Sequence, residues 1–261
     1  MSSATSPLDA LAAGTLIDDL AEVAEAAAAL ILPYWRNGIT ADAKADDSPV
    51  TRADREAEAL ILDRLAARWP QVPAVAEEAS EAHGRPASAA PLYWLVDPLD
   101  GTRAFVRGDE AFTVNIALVE GPRVVAGVVS APALGLTWAG GPAGAVRRAF
   151  GGAWTSIRVR ARPAVGSALM SKGVGPEEAA RLAALHGCDD WRGEDSSLKF
   201  CRIAEGACDA YPRTGPTSEW DTAAGQAVVE AAGGRVLGPD GERLTYGKPG
   251  FMNGPFVASG G

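Results

Sequence analysis

Six consecutive residues, Asp97-Pro98-Leu99-Asp100-Gly101-Thr102, hold the densest chemistry in the chain. They follow directly on the apolar run 93–96, which reads as a β-strand. Pro98 has no N–H for a ladder and restricts the residue before it, so the spacing predicts a turn there. Such a turn aims two carboxylates and the Leu99 carbonyl at one point, an all-oxygen donor set suited to a hard cation such as Mg2+. Gly101 lets the backbone approach a ligand, and a helix or nest beginning at Thr102 would face its N–H groups toward a phosphate. The alternative is a tight turn in which Asp97 and Asp100 act only as Asx caps.

Other carboxylates stand where elements begin or end. Glu77-Glu78 closes the apolar run 72–76, at a predicted strand end. Asp221 follows Trp220 and opens a predicted helix over 222–232, where an N-cap is the simplest reading and contributes about 0.5–2 kcal/mol. Thr51-Arg52-Ala53-Asp54 fits a capping box at the start of another helix. The two histidines, His83 and His186, read as surface or helix-end residues without a role.

The elements that must position these groups come from periodicity. Helical spacing covers 17–35, with Pro33 near its end, and 51–68, closed by Trp69-Pro70. A polar loop, 37–49, separates them. Strands are predicted over 72–76, 93–96, 113–119 and 124–129, with Gly121-Pro122 as a hairpin turn that makes part of the sheet antiparallel. The second half predicts strands at 168–171 and 208–211 and helices at 176–186, 197–205 and 222–232, the last ending at Gly233-Gly234. The first residues read as a short frayed tail without the basic region of a secretory signal. The Gly/Pro/Arg-rich stretch 140–163 is the candidate boundary between halves, and the alternation of helices and strands predicts an α/β or α+β sandwich.

Composition narrows the function. The 261 residues are 47% hydrophobic and 22% charged, which fits a globular chain. Lys+Arg 24 against Asp+Glu 33 gives a net charge of −9, which argues against a nucleic-acid partner while allowing a phosphorylated small molecule bridged by a cation. No apolar run long enough for stable membrane insertion is present. Three cysteines without CxxC spacing support neither a disulfide framework nor a zinc site, and point to a cytoplasmic compartment.

Taken together, VTRAD (50–54), EE (77–78), DPLDGT (97–102) and WDTAAG (220–225) resemble the inositol monophosphatase superfamily, over nearly the whole chain. The resemblance implies a layered αβαβα sandwich and a Mg2+-dependent, lithium-sensitive phosphomonoesterase. The segments 46–51, SLKFCRIAEG (197–206) and AYPRTGPTSEWDTAAGQAV (210–228) are similar to the bacterial 3′(2′),5′-bisphosphate nucleotidases, which take the 3′-phosphate from 3′-phosphoadenosine 5′-phosphate, a by-product of sulfate assimilation.

Carried residue by residue, the resemblance implies that Glu77, Asp97, Asp100 and Asp221, with the Leu99 carbonyl, hold two or three Mg2+ ions. Thr102, hydrogen-bonded to Asp54, would orient and help deprotonate the attacking water, and Gly101 and Thr102 would contact the scissile phosphate. Ser196, Lys199 and Arg213 would approach the second phosphate or the sugar, although Lys199 also reads as a surface helix residue and Arg213 as a loop cation. Lys44 reads either as a residue near the metal site or as a solvated lysine. Two departures stand out: Ala76 occupies a position where the family often has Gly or Ser, and Met170-Ser171-Lys172-Gly173 lacks the Ser-His of many bisphosphate nucleotidases. An inositol monophosphatase or a histidinol-phosphatase on the same scaffold is the alternative, and a non-catalytic metal- or nucleotide-binding homologue a more distant one. The expected organisation is two packed halves, 1–140 carrying most metal ligands and 141–261 contributing Asp221 and substrate contacts. A homodimer is compatible with this reading.

Overall fold

The computed structural model describes residues 5–38, 42–43 and 49–261. Lys44 and Asp46-Asp47-Ser48 lie outside the described residues. The chain opens with α1 (Pro7–Ala13) and α2 (Leu16–Asn37), a short pair β1 (Asp42–Ala43) and β2 (Pro49–Val50), and α3 (Arg52–Arg68). Then come β3 (Ala74–Ala76), α4 (Glu77–His83), β4 (Leu92–Asp100), α5 (Thr102–Val106), β5 (Thr113–Glu120), β6 (Arg123–Ala131), β7 (Leu136–Gly141), β8 (Gly144–Ala149) and β9 (Thr155–Ile157). The remainder is β10 (Gly166–Met170), α6 (Pro176–Leu185), β11 (Cys188–Gly193), α7 (Leu198–Ala204), β12 (Ala210–Arg213), β13 (Thr217–Ser218), α8 (Ala223–Ala231), β14 (Arg235–Leu237), β15 (Met252–Asn253) and β16 (Phe256–Ser259).

Two sheets organise the molecule. Strands β3 to β9 lie side by side in chain order, with β3 and β4 parallel and every later pair antiparallel. The second sheet has the order β11-β10-β12-β16-β14. Side chains alternate across the first sheet with period two. Trp94, Val96, Ile116, Leu118 and Val128 pack on one face with α2 and α3, whereas Tyr93, Leu95, Ala117, Val119 and Trp138 pack on the other with α7 and α8. Leu169, Tyr211, Val236 and Ala258 of the second sheet close that same core from the far side. Ala168 and Met170 turn outward to meet Ala179, Leu182 and Ala183 of α6. The result is the expected αβαβα sandwich, and because both faces of the central strands are buried they read as nearly continuous apolar runs.

The central layer depends on a close approach. Gly127 and Gly140 face each other across β6 and β7, beneath α8. A Cβ on Gly127 would stand 2.7 Å from the Ala224 Cα, and one on Gly140 would stand 2.4 Å from the Ala227 carbonyl oxygen. Two glycines below two alanines thus let α8 lie directly on the sheet, and Asp221 is carried in just ahead of that helix.

Several local expectations need correction. The frayed-tail expectation does not hold from Ser6 onward: Ser6 and Asp9 form a reciprocal capping box, so α1 is anchored at its start. Helix α2 passes through Pro33 to Asn37, although Pro33 has no N–H to give to the Ala29 carbonyl one turn earlier. The strand at Asp97 does not end at Pro98. Its ladder with β5 slips between Asp97 and Asp100 and resumes at Asp100 opposite Thr113, a bulge that absorbs the missing N–H. The first sheet continues past residue 140 through β8 and β9 to Ile157. The other predicted elements lie within a few residues of their expected positions, including the two-residue Gly121-Pro122 hairpin, whereas α4, β7, β11, β14 and β16 are not among the expected elements. Among the described residues, no helix is long and apolar enough to cross a membrane.

Candidate active site

The carboxylates meet at one end of β4. Asp97 has the same parity as Tyr93 and Leu95, which directs it toward the α7–α8 layer. The bulge then re-aims the strand so that Asp100 faces the same region. Asp97 Oδ1 accepts the Leu99 N–H at 3.0 Å, an Asx-type bond that fixes the turn. Capping and site geometry are therefore combined here rather than alternatives. Gly101 supplies a left-handed φ of +90°, and a Cβ there would lie 2.8 Å from the Ala111 carbonyl oxygen. Helix α5 starts at Thr102, as the sequence suggests.

Glu77 lies in the first turn of α4 rather than at a bare strand end. That turn is fixed from α3, where Glu58 accepts the N–H groups of Glu78 and Ala79, each at 2.7 Å. Asp221 is not the N-cap of α8. Its Oδ2 accepts the Ser218 N–H at 2.8 Å, and Thr222 occupies the cap position. Asp54 serves two partners. Its Oδ2 closes the Thr51 capping box, with the Thr51 N–H at 2.8 Å, while Oδ1 accepts the Thr102 hydroxyl at 3.3 Å. The same hydroxyl lies 3.1 Å from the Leu99 carbonyl oxygen.

The electrostatics of this cluster are unfavourable for four anions alone. Burial holds the Asp97 carboxyl well above the usual range, reinforced by the charges of Glu77, Asp100 and Asp221 and by a hydrogen bond with Glu77. Burial also raises Asp100, against the opposing pull of Lys199. Asp221 is pushed up to about 7 by burial and then by Asp100. Among the described residues, no three His, Cys, Asp or Glu side chains form a closed preformed cage. The donor chemistry nevertheless fits a hard cation: all-oxygen groups, desolvated and raising one another's pKa, are relieved by positive charge placed between them.

A cavity of about 620 Å³ opens over this cluster, and its lining includes Glu77, Asp100, Asp221, Ser196, Lys199 and Arg213. Lys199 is 3% exposed, so it is not a surface helix residue. Its Nζ donates to the Ser196 carbonyl at 2.7 Å and stands 5.0 Å from the Tyr211 ring centroid, and burial lowers its pKa to about 8. Arg213 is held by hydrogen bonds to Ser171 Oγ at 2.7 Å and to the Gly215 and Pro216 carbonyls. Ser196 takes a left-handed φ of +56° just ahead of α7. His83 and His186 sit at the ends of α4 and α6, away from the cavity lining.

Sequence reasoning missed three groups. Asn115 Nδ2 donates to Ser197 Oγ at 2.9 Å, and Ser197 Oγ reaches Asp100 Oδ2 at 2.9 Å. Arg85 stacks over the Trp220 ring at 4.8 Å and donates to Ser218 Oγ, bracing the segment that carries Asp221. Asn115 had a signal: an amide inside a buried apolar strand needs partners. Arg85, in a polar loop, had none.

These features coincide with the sequence pattern of the Inositol monophosphatase family, which matches residues 15–258. The chain belongs to the inositol monophosphatase family, and the phosphatase class expected from its motifs is borne out. A 3′(2′),5′-bisphosphate nucleotidase CysQ from Salmonella typhimurium is 41% identical over 220 residues, covering 82% of this chain and 86% of that protein. The enzyme of the same name from Escherichia coli K12 is 37% identical, covering 94% of this chain and 99% of its own. The solved CysQ from Bacteroides thetaiotaomicron superposes with a TM-score of 0.76 at 30% identity, covering 93% of this chain and 97% of that one. An inositol monophosphatase from Anabaena superposes equally well, at 0.76 and 26% identity, covering 96% of this chain and 92% of its own.

Proposed function

We propose that this chain is a Mg2+-dependent 3′(2′),5′-bisphosphate nucleotidase that hydrolyses the 3′-phosphate of 3′-phosphoadenosine 5′-phosphate to AMP and phosphate. The observation that carries the reading is one cavity whose lining holds both charges. It brings the half-buried carboxylates Glu77, Asp100 and Asp221 together with buried Lys199 and with Arg213. A substrate with two phosphates can use both the cation-binding carboxylates and the lining cations, whereas a monophosphate leaves one of the two sets unused. CysQ relatives support the same substrate class through their names.

Glu77, Asp97, Asp100, Asp221 and the Leu99 carbonyl would hold the cations. Two or three bound Mg2+ ions would supply the positive charge that activates water and neutralises the reacting phosphate oxygens. The protein's own part begins at Asp54. Its Oδ2 is engaged by the Thr51 capping box, so Oδ1 is fixed in orientation toward Thr102. Thr102 has two acceptors in reach, the Leu99 carbonyl at 3.1 Å and Asp54 Oδ1 at 3.3 Å. With the carbonyl engaged by a cation, its single hydroxyl proton would go to Asp54 and a lone pair would remain to accept a proton from the attacking water. The proton path is therefore water to Thr102 Oγ1 to Asp54 Oδ1. Gly101 permits close approach of the scissile phosphate to the backbone, while Lys199, Arg213 and Ser196 orient the far phosphate or sugar. The attack is direct. Cys188, Cys201 and Cys208 are buried and absent from the cavity wall, so no thiol enters the reaction.

Product analysis tests the assignment. Incubation of 3′-phosphoadenosine 5′-phosphate with enzyme and Mg2+ should yield AMP with its 5′-phosphate retained. Release of the 5′-phosphate, leaving 3′-AMP, contradicts the proposed orientation, and no release contradicts the activity.

A further inference from the structure

We infer that Ser197 is a positioning residue: its hydroxyl, oriented by Asn115 and lying between the Asp100 carboxylate and the Asp221 backbone, holds Asp100 in the orientation needed to bind a cation. The inference rests on the function proposed above and extends it to a residue that would hold no cation itself.

The Ser197 hydroxyl is a node between four segments. It accepts from Asn115 Nδ2 at 2.9 Å and lies 2.9 Å from Asp100 Oδ2 and 3.0 Å from the Asp221 carbonyl oxygen. Asn115 sits on β5, directly opposite Asp97 in the ladder. Asp100 ends β4, Asp221 precedes α8, and Ser197 itself immediately precedes α7. Ser197 and Asn115 are each 1% exposed, so water cannot readily replace either partner.

The direction of the bonds matters. Asn115 donates, which orients the serine lone pairs and leaves its proton for Asp100 Oδ2 or the Asp221 carbonyl. The Asn115 amide also stands 3.5 Å from Asp100 Oδ2. With the serine proton on Asp100 Oδ2, both side-chain donors converge on one oxygen of that carboxylate. Partners behind a ligand commonly change metal affinity by about 10–100-fold when removed. The Asp221 carbonyl oxygen is the other acceptor in reach of the same proton, so the hydroxyl sits between the segments that carry two candidate ligands. Ser197 therefore acts first on the orientation of the Asp100 carboxylate.

The test is Mg2+ binding by calorimetry without substrate, with melting in chelator as a parallel readout. Ser197→Ala should weaken Mg2+ binding by about 10–100-fold while the chelated protein still melts cooperatively near wild type. Ser130→Ala is the comparison: Ser130 is equally buried, bonds Thr137 Oγ1 at 2.9 Å and lies in the same sheet away from the cavity. It should lower the melting temperature and leave the Mg2+ affinity intact. Affinity within about twofold of wild type in Ser197→Ala overturns the inference. If that variant does not fold, Asn115→Ala removes the donor behind the same hydroxyl and should weaken Mg2+ binding too; unchanged affinity there also overturns it. A wild-type protein that binds no Mg2+ refutes the proposed function itself, which separates the two failures.

Discussion

Gly140→Ala places the greatest demand on the described packing. The new methyl carbon would lie 2.4 Å from the Ala227 carbonyl oxygen and 2.6 Å from the Val228 Cα. Ordinary contact begins near 3.4 Å, so α8 must retreat by about 1 Å. Both opposing atoms are helix backbone, which no side-chain rotation can move aside. Overpacking of this kind costs about 1–3 kcal/mol, and backbone opposition puts Gly140→Ala toward the upper end. At roughly 2–4 °C per kcal/mol for a chain of this size, the melting temperature should fall by roughly 6–12 °C. Because α8 carries Asp221 at its entrance, a shift of about 1 Å should also reduce kcat on the order of 10²-fold. Gly141→Ala is the matched control, since its methyl would meet Leu11 Cδ1 at 3.5 Å, Ile17 Cδ1 at 3.6 Å and the Val125 carbonyl oxygen at 3.9 Å, all ordinary contacts. It should change stability by less than about 1 kcal/mol and leave turnover unchanged. Thermal melting and phosphate release on the two variants decide the matter. Equal behaviour of both would refute the direct seating of α8 on the sheet.

Asp97→Asn should abolish turnover while removing one of four mutually repelling carboxylates, so its melting temperature in chelator should be no lower than that of wild type. Near-normal turnover would remove Asp97 from the cation site. Arg213→Ala should raise KM for a bisphosphate far more than for a monophosphate, and equal effects would separate Arg213 from the second phosphate. The buried Asp209 carboxylate accepts Arg160 Nε at 2.8 Å and the Ser167 N–H at 2.7 Å, and the Arg160 hydrogen bond holds its pKa below the usual aspartate value. A depressed folded pKa stabilises the protein above the unfolded value of about 3.9 and is lost as pH falls through the folded one. The stability gap between wild type and Asp209→Asn should therefore be full at neutral pH and close below about pH 4. A gap that stays constant across that range would contradict the assigned cause.

What the sequence disclosed depended on whether a signal was local. The capping box at Thr51–Asp54, the Gly121-Pro122 hairpin and the apolar strands are properties of adjacent residues, and they were readable. The path of β4 through Pro98 was not, because only pairing with β5 allows a bulge to absorb the proline. Helix α1 was overlooked because its capping box precedes a short, alanine-rich helix with little periodicity. Strands β8 and β9 were hidden in a stretch rich in Gly and Arg, where edge position rather than apolar alternation determines the pairing. At the site, Asp54 read on its own residues as a cap, and as a partner of Thr102 only through the family resemblance. The structure shows one oxygen in each role, a division that needs the distant Thr102 to be visible. Lys199 could be taken for a surface residue until the sheet packed over it.

The most direct test of the account is a comparison of kcat/KM with Mg2+ for 3′-phosphoadenosine 5′-phosphate, inositol 1-phosphate and histidinol phosphate. A cavity lined by both carboxylates and cations predicts a preference for the nucleotide of about a hundredfold or more, roughly 3 kcal/mol of differential transition-state binding. Preference for either monophosphate would contradict it.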